Sequence, residues 1–156
     1  MFRRLYLPLR LFFASSLPLF ILAHFTHHVV TAATAPLLPL IRTSFGLSYA
    51  QSGLILSAFS LSYGVAHLPA GWLNDRIGSA TLIFLGISGV AAAGLLAGLA
   101  PSFAVLLLAQ LLMGLSGAGY HPSATTLIAR VTRPERRGSA LGTHIVGGSL
   151  SHFLAP

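Results

Sequence analysis

Long apolar runs separated by short charged segments dominate this sequence. Residues 11–41, 43–74 and 77–129 contain no Asp, Glu, Lys or Arg. Because a helix crosses a hydrocarbon core of ~30 Å in about 20 residues, the first two runs each fit one span. The third run fits two spans, since Pro101 and Ser102 favour a turn within it. Uncharged residues after the last arginines begin a fifth span.

The pattern predicts an all-α polytopic membrane helix bundle, in which residues 1–156 form one transmembrane unit. The predicted spans cover approximately residues 11–40, 45–73, 79–99, 103–129 and 138–156.

Composition and charge agree with a membrane protein in contact with a lipid bilayer. Hydrophobic residues make up 54% of the chain, charged residues 7%, and the mean hydropathy is +0.82, whereas soluble domains carry roughly 25% charged residues. With the N-terminus in the cytoplasm, every arginine except Arg42 lies on the cytoplasmic side, as the positive-inside rule requires. This distribution disfavours nucleic-acid binding by the basic segment 130–137. Absence of Cys excludes a disulfide framework.

The N-terminus admits a second interpretation. Phe2-Arg3-Arg4, the apolar stretch from Leu11 and Ala33-Thr34-Ala35 together imitate a signal peptide with its cleavage site. Cleavage after Ala35 would remove the first helix and reverse the arrangement of the arginines, so a retained first span is the preferred hypothesis.

Small residues recur at helical spacing in three of the predicted spans. The second span carries a stripe of Gly53, Ser57, Ser60, Gly64, His67 and Gly71 on one face, and the third and fifth carry Gly94 with Gly98 and Gly138 with Gly142. In lipid, helices associate through such close packing. We therefore predict that these glycines lie at helix contacts.

Histidine is the most informative polar residue, because all seven histidines fall within predicted spans. His24, His27 and His28 share one arc of the first span at mid-depth, where polar groups face a cavity or another helix and not lipid. Gln110 and His121 share a face of the fourth span, and Pro122 predicts a kink there. The candidates for a substrate or proton path are His24, His28, Gln110, His121 and His144. The alternative for any one histidine is a buried ring satisfied by a neighbour.

No catalytic constellation competes with this interpretation. The sequence has no nucleophile elbow and no phosphate-binding loop, so we predict a protein that is not an enzyme and has no cofactor. A zinc or copper site is also not predicted, because the spans hold no acidic residue and no HExxH pattern.

The segment GWLNDRIG, residues 71–78, resembles the loop motif G-x-L-x-D-R-x-G of the major facilitator superfamily of secondary transporters. The matching residues are Gly71, Leu73, Asp75, Arg76 and Gly78. PLLP at 36–39 and RPERRGSALG at 133–142 are also similar to members of that superfamily. GAGYHPSATTLIA at 117–129 and ALGTHIVGG at 140–148 resemble its fosmidomycin-resistance branch.

The resemblance implies a secondary transporter of the cell (inner) membrane that exports a small organic molecule by alternating access, with a coupling ion such as H⁺. It implies twelve spans in two halves, so the chain looks truncated after Pro156 and the C-terminal half is an expected partner. The competing hypothesis is a truncated, non-transporting membrane protein or assembly subunit. The sequence departs from the family pattern at Ser79-Ala80, where basic residues are expected, and at Gln110, where many exporters carry Arg.

The resemblance further implies that the motif is a conformational latch, in which Asp75 meets a helix end of the other half. From the residues alone, Asp75 could instead cap the third span's helix or pair with arginines of segment 130–137. Both alternatives place Asp75 and Arg76 away from the substrate.

Overall fold

The structure is a computed structural model that describes residues 16–154, and this part of the chain consists of helices joined by short turns, with no strand. The predicted signal-peptide features at Phe2-Arg3-Arg4, the start of the first span and the end at Pro156 lie outside the described residues. The helices are α1 (Leu17–Ala32), α2 (Thr34–Phe45), α3 (Tyr49–Ile77), α4 (Ser79–Gly98), α5 (Phe103–Gly117), α6 (Tyr120–Val131) and α7 (Arg137–Leu154), and a 3-10 turn covers Pro134–Arg136.

Four helical segments of the described chain are long and apolar enough to cross a membrane. They are Leu17–Phe45, Tyr49–Ile77, Ser79–Gly98 and Phe103–Val131. Each overlaps one of the first four predicted spans, and α7 lies in the fifth predicted segment. The predicted all-α membrane bundle is confirmed.

Two of these segments are interrupted near a proline. α1 and α2 meet at Ala33, and α5 and α6 meet at Ala118 and Gly119. Pro36 and Pro122 have no N–H to donate to the carbonyl four residues earlier, so the helical ladder is broken at both places. The interruption at Ala118 and Gly119 lies where Pro122 predicts a kink.

The ends of α3 are set by local sequence. Ser48 and Gln51 form a capping box, in which the Ser48 Oγ accepts from the Gln51 N–H at 3.2 Å and the Ser48 N–H donates to Gln51 Oε1 at 2.9 Å. α3 ends at Gly78, whose φ of 84° lies in the left-handed region that favours glycine. A single residue therefore joins α3 to α4, which keeps the two helices close.

α3 packs against α5 through the face that carries Ile55, Ala58 and Ser62. The approach is close because α5 presents Gly114, where a Cβ would meet the Ser62 Oγ and would lie 2.9 Å from the backbone N of Tyr63. A side chain at position 114 would therefore force the two helices apart.

The prediction that the α3 glycine stripe makes close contacts is wrong within the described residues. A Cβ at Gly53, Gly64 or Gly71 would meet nothing within 4 Å. Gly53 and Ser62 are nine residues apart, which places them roughly half a turn from each other around the helix. The stripe thus lies on the face opposite to the α5 contact.

Of the two other predicted glycine pairs, only one residue makes a close helix contact. Gly94 packs closely, because a Cβ there would lie 2.7 Å from Cγ1 of Val30, whereas Gly98, Gly138 and Gly142 would meet nothing within 4 Å. The close contact of α7 is made instead by Gly147, where a Cβ would lie 2.8 Å from the carbonyl oxygen of Ile21. α7 consequently lies directly on α1.

Candidate functional site

Histidine rings from three helices meet on the inner side of α1. We call His24, His27, His28, His121 and His144 the histidine cluster. The His24 ring stacks on His144 with centroids 4.2 Å apart. The centroids of His24 and His28 lie 5.0 Å and 5.2 Å from that of His121. Four of the five candidates from the sequence, His24, His28, His121 and His144, are therefore neighbours in space.

His24 is held in one orientation. Its Nδ1 donates to the backbone carbonyl of His144 at 2.8 Å, and the side chain is only 4% exposed. Its Nε2 is buried without a hydrogen-bond partner in the described part of the chain. A buried polar group without a partner costs roughly 1–3 kcal/mol, so this nitrogen has an energetic reason to receive a ligand.

His27 packs against Tyr120 at the buried side of the histidine cluster. Their rings stack with centroids 4.7 Å apart, and His27 is 2% exposed. The Tyr120 hydroxyl donates to the backbone carbonyl of Phe20 at 3.2 Å, which ties α6 to the beginning of α1. Neither residue is among the candidates from the sequence, although His27 lies in the polar arc of the first span and Tyr120 directly precedes His121.

Glycines let the helices approach the cluster. A Cβ at Gly148 would lie 2.6 Å from both Cε1 and Nε2 of His24, and a Cβ at Gly117 would lie 3.1 Å from Cε1 of His27. Absence of side chains at these two positions therefore makes room for the imidazole rings.

We expect Gly148→Ala to destabilise the bundle by about 1–3 kcal/mol, because the added methyl group displaces the His24 ring from the His144 carbonyl. Gly142→Ala on the same helix is the matched control and is expected to be neutral or to stabilise by up to about 1 kcal/mol through helix propensity. Thermal unfolding of the purified chain in detergent measures both changes. Equal unfolding midpoints for the two variants would contradict the packing of Gly148 on His24.

Gln110 lies apart from the cluster, in contact with α2. It is 1% exposed, and its Nε2 donates to the Thr34 Oγ1 at 2.9 Å. Both residues line a cavity of about 520 Å³, together with Thr31 and His152. Sites for small organic molecules have volumes of ~300–1,000 Å³, so the cavity is large enough for one.

The cavity adjoins the histidine cluster. The ring centroid of His152 lies 4.9 Å from that of His28, and Thr31 follows one turn after His27 and donates to its carbonyl at 3.0 Å. His152 lines the cavity but is not among the candidates from the sequence. Thr31 and His152 therefore link Gln110 to the cluster along the cavity, and we call these polar residues the polar surface.

His67 is not part of this surface. Its Nδ1 donates to the Tyr63 carbonyl one turn earlier at 3.1 Å, and the two rings pack with centroids 4.4 Å apart. It is satisfied within α3, as the alternative for a single histidine predicted.

The predicted latch residues, Gly71, Leu73, Asp75, Arg76 and Gly78, lie in the last two turns of α3 and at its end. Asp75 and Arg76 are both exposed, and the Arg76 guanidinium lies 4.6 Å from the centroid of the Trp72 ring. We call these five residues the latch segment. The motif is therefore mostly helical and not a loop.

The predicted cap by Asp75 is not formed. Gly78 precedes α4 with no side-chain hydrogen bond to its free N–H groups. Side chains on a helix tilt toward its N-terminus. The Asp75 side chain therefore points back along α3, away from the start of α4. A partner among the arginines of 130–137 is also not seen in the described residues, so the carboxylate stays exposed.

Comparison with known proteins gives a consistent result. The family model of the Major Facilitator Superfamily matches residues 20–156. The MFS-type transporter YceJ of Bacillus subtilis is 32% identical over 124 residues, which are 80% of this chain and 32% of that protein. The fosmidomycin resistance protein of Escherichia coli is 27% identical over 135 residues, which are 86% of this chain and 33% of that protein.

A solved structure shares the fold. It is the crystal structure of a bacterial homologue of the human lysosomal transporter Spinster, inward-facing and unoccupied, which is 30% identical with a TM-score of 0.75 and covers 90% of this chain and 29% of that protein. The chain thus spans about a third of the length of the relatives it matches. The resemblance found in the sequence is confirmed, and the chain belongs to the major facilitator superfamily.

Proposed function

We propose that this chain is the N-terminal part of a secondary transporter that exports a small organic molecule by alternating access. Its relatives are named as transporters and as a resistance protein, and its fold is similar to that of an inward-facing transporter. The name of the fosmidomycin resistance protein supports export as the direction. The remaining part of such a transporter would complete the site from the other side.

The polar surface between Gln110 and the histidine cluster carries this proposal. It borders a cavity of about 520 Å³, and polar groups at membrane depth are costly unless they face a cavity or one another. In the proposal, His24, His28, His121, His144 and Gln110 contact the substrate along its path. No step of bond making or breaking is required of them.

Export can be measured in cells that express the full-length protein. Fosmidomycin is a suitable first probe, because one relative is named for resistance to it. We expect lower accumulation of the exported compound than in cells with empty vector, and we expect a protonophore to remove the difference if H⁺ is the coupling ion. Equal accumulation across a panel of small antibiotics and organic acids would favour the competing hypothesis of a non-transporting membrane protein.

We further propose that the protein lies in the cell (inner) membrane with a cytoplasmic N-terminus, on the basis of the arginine distribution. Single cysteines at Ser44 and Ser102 are expected to react with impermeant thiol reagents from outside. Those at Ala80 and Glu135 are expected to react only after permeabilisation. All four positions are exposed, so poor access to the side chain does not confuse the result. The reverse pattern would contradict the orientation.

A further inference from the structure

We propose that His24, His28 and His121 bind a divalent transition-metal ion of the zinc class, and that an oxygen of an anionic small molecule completes its coordination. The site would connect an anionic substrate to the chain through the metal. The identity of that ligand as substrate rests on the proposed function, whereas binding of the metal does not.

The three imidazoles are close enough to act together. Each offers one ring nitrogen, and these nitrogens all lie within 4.8 Å of one another. Tetrahedral zinc with bonds of ~2.0–2.1 Å to nitrogen requires ligand nitrogens roughly 3.3 Å apart. Contraction by about 1.5 Å would bring the present nitrogens to that distance, and rotation of the half-buried His28 and His121 side chains toward His24 can supply it.

His24 has the arrangement of a metal ligand. Its Nδ1 donates to the His144 carbonyl at 2.8 Å, so in the neutral ring the lone pair lies on Nε2. That Nε2 is buried and has no hydrogen-bond partner among the described residues. A ligating histidine usually donates its other ring N–H to a carbonyl or carboxylate, which fixes both the tautomer and the ring orientation.

The chemistry of the ligands indicates which ion fits. Imidazole nitrogens suit zinc, copper and nickel, whereas magnesium and calcium prefer oxygen. The chain has no cysteine and only two acidic residues, Asp75 and Glu135, and both lie exposed at the ends of helices and not in the cluster. Three neutral histidines are therefore the ligand group whose nitrogens converge in this part of the chain.

Because neither acidic residue lies near the three histidines, the charge of the ion determines which fourth ligand fits. A divalent ion held only by neutral imidazoles keeps its full charge, and a buried charge without a counter-charge costs several kcal/mol. An anion from outside the chain would neutralise it. A metal site is not predicted from the sequence because acidic residues are absent from the spans. In the folded bundle the same absence leaves a position for an anionic ligand.

Cobalt provides a direct test. The full chain, purified in lipid nanodiscs without a polyhistidine tag, is titrated with Co²⁺, whose visible absorption intensifies on tetrahedral coordination. We expect one equivalent to bind and to be displaced by Zn²⁺. His121→Gln is expected to weaken binding at least about tenfold, since even the loss of an outer partner costs ~10–100-fold. His67→Gln, which changes a histidine outside the cluster, should bind like the wild type.

A second variant separates loss of a ligand from loss of the fold. His121→Cys retains a ligand atom, so we expect it to bind Co²⁺ with an added sulfur-to-metal absorption band. Absence of cobalt binding to the wild type, or equal binding by the wild type and His121→Gln, would overturn the metal site.

The anionic ligand is tested on the same sample with inorganic phosphate and acetate as probes. We expect either anion to change the visible spectrum of the wild-type cobalt complex. An unchanged spectrum would overturn the anion as fourth ligand. Because these measurements use binding alone, their failure is distinguishable from a failure of export in cells.

Discussion

Exchange of His24 for Gln in the full-length protein is expected to lower export by roughly two orders of magnitude while membrane insertion stays intact. The glutamine cannot reproduce the ring that stacks on His144 at 4.2 Å and donates to its carbonyl at 2.8 Å. Misplacement of a positioning group by about 1 Å can cost ~10²-fold. Initial export rates, normalised to the amount of protein in the membrane, measure the effect.

The same substitution at the other cluster positions sharpens this test. His28→Gln and His121→Gln are expected to act like His24→Gln. His144→Gln should have a smaller effect on the His24 orientation, because the acceptor there is the backbone carbonyl of residue 144. His67→Gln is the matched control within α3. Unchanged export in all four cluster variants would assign the histidines to packing alone.

The positions of the helices could be predicted from the sequence because local rules determine them. Apolar runs between charges specify where a helix can lie in the membrane. Pro122 indicates where a helix can be interrupted, since it removes one backbone donor, and the helix is interrupted there between α5 and α6. Both features depend on residues close together in the sequence.

The contacts between helices could not be predicted in the same way. Glycines on α3 indicated one face as suitable for packing, yet α5 contacts the opposite face. The contact forms there because Gly114 of α5 has no side chain and leaves room for Ser62. A small-residue stripe shows that a face permits close approach and not that a neighbour occupies it. The choice depends on complementary surfaces far apart in the chain.

The histidine cluster could be predicted from the sequence only in part. Helical spacing placed His24 and His28 on one arc, which the structure bears out. Their meeting with His121 and His144 depends on α6 and α7 lying against α1, and that approach requires Gly147 and Gly148. Burial of His27 under Tyr120 follows from the same approach, so no local pattern could have distinguished His27 from its neighbours.

Polar groups near the latch segment are unpaired in the described residues. Asp75 is exposed and makes no ion pair there, while the Asn74 Oδ1 and the Ser79 Oγ are buried without hydrogen-bond partners. Buried polar atoms are usually satisfied. Their position beside Asp75 therefore supports a partner that approaches this end of α3 in one state of the proposed transport cycle.

Asp75→Asn is expected to lower export at least about tenfold. Removal of a charge contact that stabilises one conformation by more than ~1.4 kcal/mol changes the ratio of the open and closed conformations at least tenfold. Substrate binding should be spared, since Asp75 lies outside the histidine cluster and the cavity. If the contact closes the cytoplasmic side, a cysteine lining the cavity from that side should react faster with thiol reagents in the variant. Glu135→Gln, which neutralises the other exposed acid of the chain, is the matched control and should leave export and labelling unchanged. Near wild-type export by Asp75→Asn would leave the latch segment with a structural role only, in ending α3 and turning the chain into α4.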